Sequence, residues 1–343
     1  MTTRDLEIPT KPTREKEPRR WTTTARIRQK VESRIPNDEL RADGTPDRLR
    51  MTVDFAAVWS QAIGAVGIFI VVPSWTTYFV TAFLIGGAQH GMAIIVHEGA
   101  HRLIAPARRR LNDVVSAVLF AGPIFLPFRL YRCRHLLHHR DVSREGDSKR
   151  LYRRKFRGWN MLVEVVRSLS ISDFLGQVFE VVRRSRNSAG DVQESPNLRR
   201  DFGIDVLSIG ASQIVLFGLF AMIDWRLYFL LWAVPIMTTM VLIGKLRSAV
   251  EHAPLERDRG AVEGSPYFGS TRGPVLRSVD ARAWERLFLS KINGHYHAEH
   301  HLWPHLSYQK LPRVARLVVN SGVSGIVHDR SYMAVLYKLA IGR

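Results

Sequence analysis

Thirteen histidines occur in 343 residues, and eight of them fall in three short boxes. His135, His138 and His139 stand in the run HLLHH, and His297, His300 and His301 in HAEHH. Both runs place imidazoles at i, i+3 and i+4. Those offsets share one face of an α-helix, so each run aims three rings at one point. His97 and His101, in HEGAH, add two more at i and i+4. Neutral imidazole is a good ligand for zinc, iron, copper and nickel. Its ordinary pKa of ~6.5 leaves little proton competition at neutral pH. One zinc takes about four ligands, so eight convergent histidines suit two metal ions. His252, which follows the last apolar run, is a ninth expected ligand. His90 lies two turns before His97 and is expected to pack against a neighbouring helix. His295 and His305 flank the last box outside the ligand set, and His328 stands alone with no role.

The elements that must position these boxes are apolar runs. Residues 55–72 and 77–96 are each near the ~20 residues that cross a bilayer. Pro73, Ser74 and Trp75 leave only a tight turn between them, so the two form a helical hairpin. The second run leads straight into HEGAH, which places His97 and His101 at the membrane surface on a continuing helix. Residues 114–130 are apolar but interrupted by Gly122-Pro123 and Pro127. They read as a re-entrant or interfacial segment, because broken backbone at depth must be covered by protein. This segment delivers the chain to HLLHH. Over 159–184, Leu162, Val165, Val166 and Leu169 have the spacing of a helix lying on the membrane surface. Residues 206–223 and 227–246 form a second hairpin, turned at Asp224-Trp225-Arg226. A Gly/Pro-rich loop (254–274), a helix around 279–291, HAEHH and a C-terminal helical region follow.

The expected fold is an all-α integral membrane protein. Two transmembrane helical hairpins, about four spans, are joined by interfacial helices and a cytoplasmic helical cap carrying the histidine boxes. Residues 1–50 are expected to be a flexible polar tail with a short helix at 22–33. Residues 51–312 would form the membrane catalytic domain, and 313–343 a C-terminal cytoplasmic helical segment. The formal net charge is +19. Its basic residues lie between the apolar runs, which fits loops facing an anionic leaflet; no nucleic-acid-binding module is recognisable. The hairpin turns carry almost no basic residues, with Arg226 the exception. The positive-inside rule then makes both termini and all three boxes cytoplasmic. Cys133 is the single cysteine, which excludes a disulfide framework, a thiolate zinc site or an iron–sulfur cluster within one chain.

The order HEGAH, RHLLHH, HYHAEHHLWP resembles the membrane fatty acid desaturase and hydroxylase superfamily. Tyr296, His297, Glu299, His300, His301 and Pro304 match its last box, and Arg247, Glu251 and His252 look like its further histidine after the fourth span. The resemblance covers residues 55–312. It implies a non-haem di-iron centre of two Fe2+, dioxygen as co-substrate, and a fatty acyl or similarly lipophilic substrate that is desaturated or hydroxylated. Glu98, Asp147, Glu251 and Glu299 are candidates to orient ligand histidines by accepting their second N–H. Asn293 is a further candidate, although Gly294 and His295 separate it from Tyr296, a departure from the family pattern. The chain shows no dinucleotide fingerprint. Electrons would therefore come from a separate ferredoxin, rubredoxin or cytochrome b5-like donor. Its docking face would be basic: Arg129, Arg132, Arg134, Arg153, Arg154 and Lys155.

Two rival readings remain on sequence grounds. HEGAH also satisfies the H-E-x-x-H pattern of zinc metalloproteases, for which Asp205 and Asp224 are the aspartates available at the later spans. A non-enzymatic metal carrier would place histidines along a path through the spans, where only His90 lies.

Overall fold

A computed structural model describes residues 23–35, 46–140, 158–187, 198–252, 276–323 and 326–341. The expected Asp147, Arg153, Arg154, Lys155 and the loop 254–274 lie outside the described residues. Four helices are long and apolar enough to cross a membrane: α2 (Arg48–Val71), α3 (Trp75–Ala100), the helix α8 over Leu198–Ala221, and α9 (Trp225–His252). The chain is an all-α membrane protein of two helical hairpins, as expected. The spans run further than hydropathy suggests, because polar box residues continue α3 and α9 beyond their apolar windows. Side-chain caps start the first hairpin: Asp47 accepts from Arg50 N at 3.1 Å and Ser74 from Thr77 N at 3.1 Å. Each cap satisfies an otherwise orphaned helix N–H.

α3 is the central post. Its apolar window is 72% buried, against 22% for α2 and 28% for α8. Small residues permit this. A Cβ at Gly86 would collide with the Thr239 side chain of α9, and one at Gly99 with the Ser116 side chain. Thr239 Oγ1 in turn donates to Ala82 O at 3.0 Å, tying α9 to α3. α9 is irregular at the same depth, with π-helical turns over Tyr228–Ala233 and Ile236–Met240 on either side of Pro235. Proline lacks the N–H that a regular helix would use there. Buried Gln89 of α3 donates to Trp232 O at 2.9 Å, so a carbonyl of this stretch keeps a partner.

Between the hairpins, α4 (Arg109–Val114) runs through a π-turn and a 3-10 turn to Ile124, and α5 (Phe128–Arg140) leaves at a bend of 98°. Phe125 sits at the bend with φ 55°. Asn112 Nδ2 at the start of this segment and Arg132 Nη2 on its return both donate to Gly99 O, at 2.9 and 3.2 Å. It therefore enters and leaves at the same end of the bundle. Its exposed carbonyls are met by the spans. Gln213 donates to Gly122 O at 2.7 Å and to Pro123 O at 3.0 Å, Trp232 Nε1 to Pro123 O at 2.9 Å, and Ser212 to Val118 O at 2.9 Å. Irregular backbone within a membrane survives only when protein supplies such partners.

The surface stretch divides into α6 (Trp159–Ser168) and α7 (Ile171–Asn187). Leu162, Val166 and Phe179 are exposed, the arrangement of an apolar face meant for lipid. The opposite face is pinned to α9: buried Lys245 pairs with Asp173 at 2.6 Å and Glu164 at 3.3 Å.

The helix expected around 279–291 is corrected. Residues Leu276–Val279 form strand β1, and only Ala283–Phe288 is helical (α10). α11 (His297–Leu302) carries the last box and α12 spans Leu311–Ser321. Strand β2 (Ile326–Asp329) pairs in parallel with β1, with Ser278 opposite His328, and α13 (Tyr332–Ala340) ends the described chain. The short helix expected in the tail forms as α1 (Thr23–Glu32) and is docked. Ile27, Val31 and Ile35 are buried with Leu302, Trp303 and Val314, and Trp303 Nε1 donates to Glu32 at 3.2 Å.

Gly86→Leu forces side-chain volume between α3 and α9, and over-packing of this kind costs about 1–3 kcal/mol. Its thermal unfolding midpoint in detergent should fall by several degrees. An unchanged midpoint would show that the two spans are not in contact there.

Candidate metal centre

Each histidine box reaches the site on a different support. His97 closes the last turn of α3 and His101 follows it, where Arg102 takes φ 62° and turns the chain away. His135, His138 and His139 share one face of α5, whose N-terminus is set by Asp205 of α8. That buried carboxylate accepts from Arg129 N at 2.9 Å, Leu130 N at 3.2 Å and Arg129 Nη1 at 3.1 Å. His252 ends α9. The last box follows Ile292 and Asn293, both left-handed at φ 54° and 53°. A β-branched residue in that region is a steric outlier, and here the turn delivers the chain to α11.

All nine expected histidines meet in one buried volume. His97, His101, His135, His139 and His300 form one group able to hold a metal ion; His138, His252 and His301 form a second; Glu251, His252 and His297 form a third that shares His252 with the second. Their ligand atoms lie within 4.8 Å of one another in each group. Nε2 atoms approach pairwise: His101 to His135 at 2.8 Å, His252 to His297 at 2.9 Å and His139 to His300 at 3.1 Å. Two imidazoles on one ion with bonds of ~2.0–2.1 Å sit roughly 3 Å apart. Both ring nitrogens of His301 and Nδ1 of His300 are buried without a hydrogen-bond partner among the described residues. Such orphaned atoms are costly, and a metal ion accepting their lone pairs would remove that cost. The donor set thus fits transition-metal ions held by imidazole. Tyr131 stacks on His135 with rings 5.5 Å apart and 3° from parallel, which fixes that imidazole's plane.

The carboxylates divide. Glu98 lies 3.5 Å from His97 Nδ1 and also accepts from Tyr308 N at 3.1 Å. Glu251 lies 3.5 Å from His297 Nδ1 and is itself held by Arg247 Nε at 2.5 Å and Tyr332 OH at 3.2 Å. Glu299 turns away from the rings to Ser278 and His328. Asn293 donates to Tyr308 O at 3.2 Å and lines a cavity of about 330 Å³ with Arg50, Asp54 and Lys291. It supports the Tyr308 loop rather than a histidine. Sequence reasoning missed Tyr308, whose hydroxyl donates to Asp54 at 2.8 Å while its backbone holds Glu98. His328, given no role, reaches Glu299 at 2.6 Å. His90 is buried beside α9, near Gly244, consistent with packing.

Two elements of the rival readings are corrected by geometry. Asp205 is spent on the α5 N-terminus, and Asp224 caps the start of α9 by accepting from Arg226 N at 2.9 Å. Neither joins HEGAH as a third zinc ligand. Of the docking cations, Arg129 is paired with Asp205 and Arg132 with Asp113 at 2.5 Å. These two are internal ties, not a free face.

The fatty acid desaturase family matches residues 73–324, well over half of the chain, and the chain belongs to that family. It is thereby an oxidoreductase of the desaturase type. Over 293 residues it is 26% identical to a dihydrorhizobitoxine desaturase of Bradyrhizobium elkanii, covering 81% of this chain and 77% of that protein. Over 133 residues it is 27% identical to an sn-1 oleoyl-lipid 12-desaturase of Anabaena variabilis, covering 36% and 37%.

Burial pushes His101 down to about 4, with the Arg132 charge adding to it, and pushes His295 down to about 4 with help from Arg286. Burial and neighbouring imidazoles hold His300 and His301 well below the ordinary range. These four rings bind fewer protons in the folded state between pH ~4 and ~6.5; burial pushes Glu98 the other way, up to about 7, but one carboxyl is outweighed by four rings, so stability rises with pH across that window. Metal-free protein should lose thermal stability as pH falls from ~6.5 towards ~4. A midpoint independent of pH in that range would contradict the burial of these rings.

Proposed function

We propose that this protein is a membrane di-iron oxidoreductase. In this reading it uses dioxygen and external electrons to desaturate, or alternatively hydroxylate, an aliphatic C–H site of a fatty acyl or related lipophilic substrate. The observation that carries the reading is the convergence of nine imidazoles into adjoining metal-sized groups at one end of four spans. Membership of the desaturase family supports iron as the metal, and both relatives named above are desaturases, which favours desaturation over hydroxylation. Their names cite different substrates, so the class is read from this chain. An apolar cavity of about 490 Å³ lies between α2, α8, α9 and the re-entrant segment, lined by Trp59, Val118, Leu216 and Trp232 among others. It could admit an apolar chain from the lipid phase, although it runs to Ile223 at the hairpin-turn end and is lined by none of the nine histidines.

His97, His101, His135, His139 and His300 would hold one ion, and His138, His252, His297 and His301 the other. When bound, iron supplies the dioxygen chemistry needed to attack an unactivated C–H bond, which no side chain provides. The protein's part is positioning. Glu98 and Glu251, each 3.5 Å from the Nδ1 of His97 and His297, are placed to accept from those nitrogens and so to set which nitrogen faces the metal. The docked α1 and α12 pack on α11 through Ile27, Val31, Leu302, Trp303 and Val314, which holds that helix in place. A single cysteine cannot ligate an iron–sulfur cluster, so the electrons arrive from a separate ferredoxin, rubredoxin or cytochrome b5-like carrier. The histidine end is read as cytoplasmic, because Arg48, Arg50, Arg102, Arg108, Arg109 and Arg110 gather there while Arg226 is the one basic residue at the two hairpin turns.

Mass spectrometry of lipids and metabolites from cells with and without the gene tests the reaction. A product lighter than its precursor by about 2 mass units is expected for removal of two hydrogens, and one heavier by about 16 marks hydroxylation. Purified anaerobic protein should contain iron, and His301→Ala should lower its content and stop turnover. Glu98→Gln should retain metal and lose roughly 10–100-fold in activity, the usual effect of losing a ligand's hydrogen-bond partner. Stoichiometric zinc with peptidase activity abolished by Glu98→Gln would overturn the assignment. Tags inserted at residue 73 and at the C-terminus should report opposite sides of the membrane.

A further inference from the structure

β1 is four residues long, fully buried, and bonded to both helices that carry the later histidines. Arg277, with no exposed surface, forms an ion pair with Asp329 of β2 at 3.0 Å, and its Nη1 donates to Val250 O, two residues before His252. The next residue, Ser278, turns to α11. Its hydroxyl donates to Glu299, and it accepts from Ala298 N at 2.9 Å. Val279 N then donates to His295 O at 2.9 Å, just ahead of the box. Successive side chains of a strand point to opposite sides, so one short strand grips α9 on one side and α11 on the other. β2 closes the arrangement. His328, the register partner of Ser278, donates from Nε2 to the second oxygen of Glu299 at 2.6 Å. Glu299 is completely buried within the HAEHH box, and both of its oxygens are taken by this strand pair rather than by the box histidines.

We propose that the β1–β2 pair is a brace that sets the spacing between His252 and the last box, with Ser278 and His328 as positioning residues for the group formed by His138, His252, His297 and His301. The proposal rests on the reading of these histidines as metal ligands. It assigns the brace to one ion. The other group draws four of its five rings, His97, His101, His135 and His139, from α3, the residue after it, and α5, which the strands do not touch through any of these bonds. Only His300 is common to the braced helix. A buried carboxylate that has lost a partner is destabilised, and here the consequence would be a helix α11 free to rotate relative to the end of α9.

The experiment is an anaerobic titration of metal-free protein in detergent with Co2+, followed by visible absorption and by metal analysis, on wild type, His328→Ala, His328→Gln and Ser278→Ala. Glutamine is chosen because its Nε2 can donate to Glu299 in place of the imidazole. Wild type should bind two ions. His328→Ala should keep one tightly bound ion and weaken the second by roughly 10–100-fold, the range for lost support of a ligand, with a change in the absorption of that ion alone. His328→Gln should recover most of the second site. His328 is partly exposed, so alanine is tolerable there; if that variant does not fold, Ser278→Ala, which removes a single hydroxyl, is judged by the same criteria. Two sites of unchanged affinity in the variants, or equal loss of both, would overturn the brace. Failure of glutamine to restore the second site would do so as well. Wild type that binds no metal would instead sink the reading on which the brace depends.

Discussion

Nine imidazole rings share one buried volume, and the rest of the molecule is arranged around that demand. Each ring has two nitrogens that need a partner away from water. At this density the rings cannot all satisfy one another, because a pair of facing nitrogens can share only one proton. His301, with both nitrogens buried and unpartnered among the described residues, shows the shortfall most plainly. A folded chain tolerates this only if something else completes the set or if the supports are stiff enough to hold it. The spans, the re-entrant segment and the capping helices supply that stiffness.

The membrane part achieves it by spending polar side chains on backbone. Gln89, Gln213, Ser212, Trp232 and Thr239 all bond to carbonyls of neighbouring elements rather than to solvent. The irregular turns of α9 and the bend before α5 are thereby held in fixed shapes. Glycines at 86 and 99 let α9 and the π-turn that follows α4 approach α3 closely, so the helix bearing His97 is surrounded on most of its length. Lys245 with Glu164 and Asp173 ties the surface helices to the span that ends in His252. A buried ion triad of this kind is worth little as net stability, but it fixes where α6 and α7 lie.

Outside the spans, the supports are chains of contacts that end on a histidine. Asp54 receives the Tyr308 hydroxyl, Tyr308 N reaches Glu98, and Glu98 faces His97. Arg247 and Tyr332 hold Glu251, which faces His297. Burial and the nearby Asp54 carboxylate hold the Tyr308 hydroxyl above its ordinary range, so it stays a donor. These links run between segments far apart in the chain, and each depends on the fold being complete.

The sequence by itself determined the spans, the two hairpins, the break in the re-entrant segment and which nine histidines to look for, while their division into groups came from the tertiary structure. The features legible in the sequence are local. A run of apolar residues, a proline or an i, i+3, i+4 spacing acts through neighbours in the chain, and a helix converts that spacing directly into a shared face. Tertiary structure alone decided which carboxylate serves which ring, and that Arg129, Arg132 and Asp205 are internal ties. It likewise decided that α1 is docked and that His328 belongs with Glu299. The strands β1 and β2 carry no periodic signal at four residues each, and their pairing joins positions about fifty residues apart. Such contacts have no local signature, because they are selected by what the completed fold places within hydrogen-bonding reach.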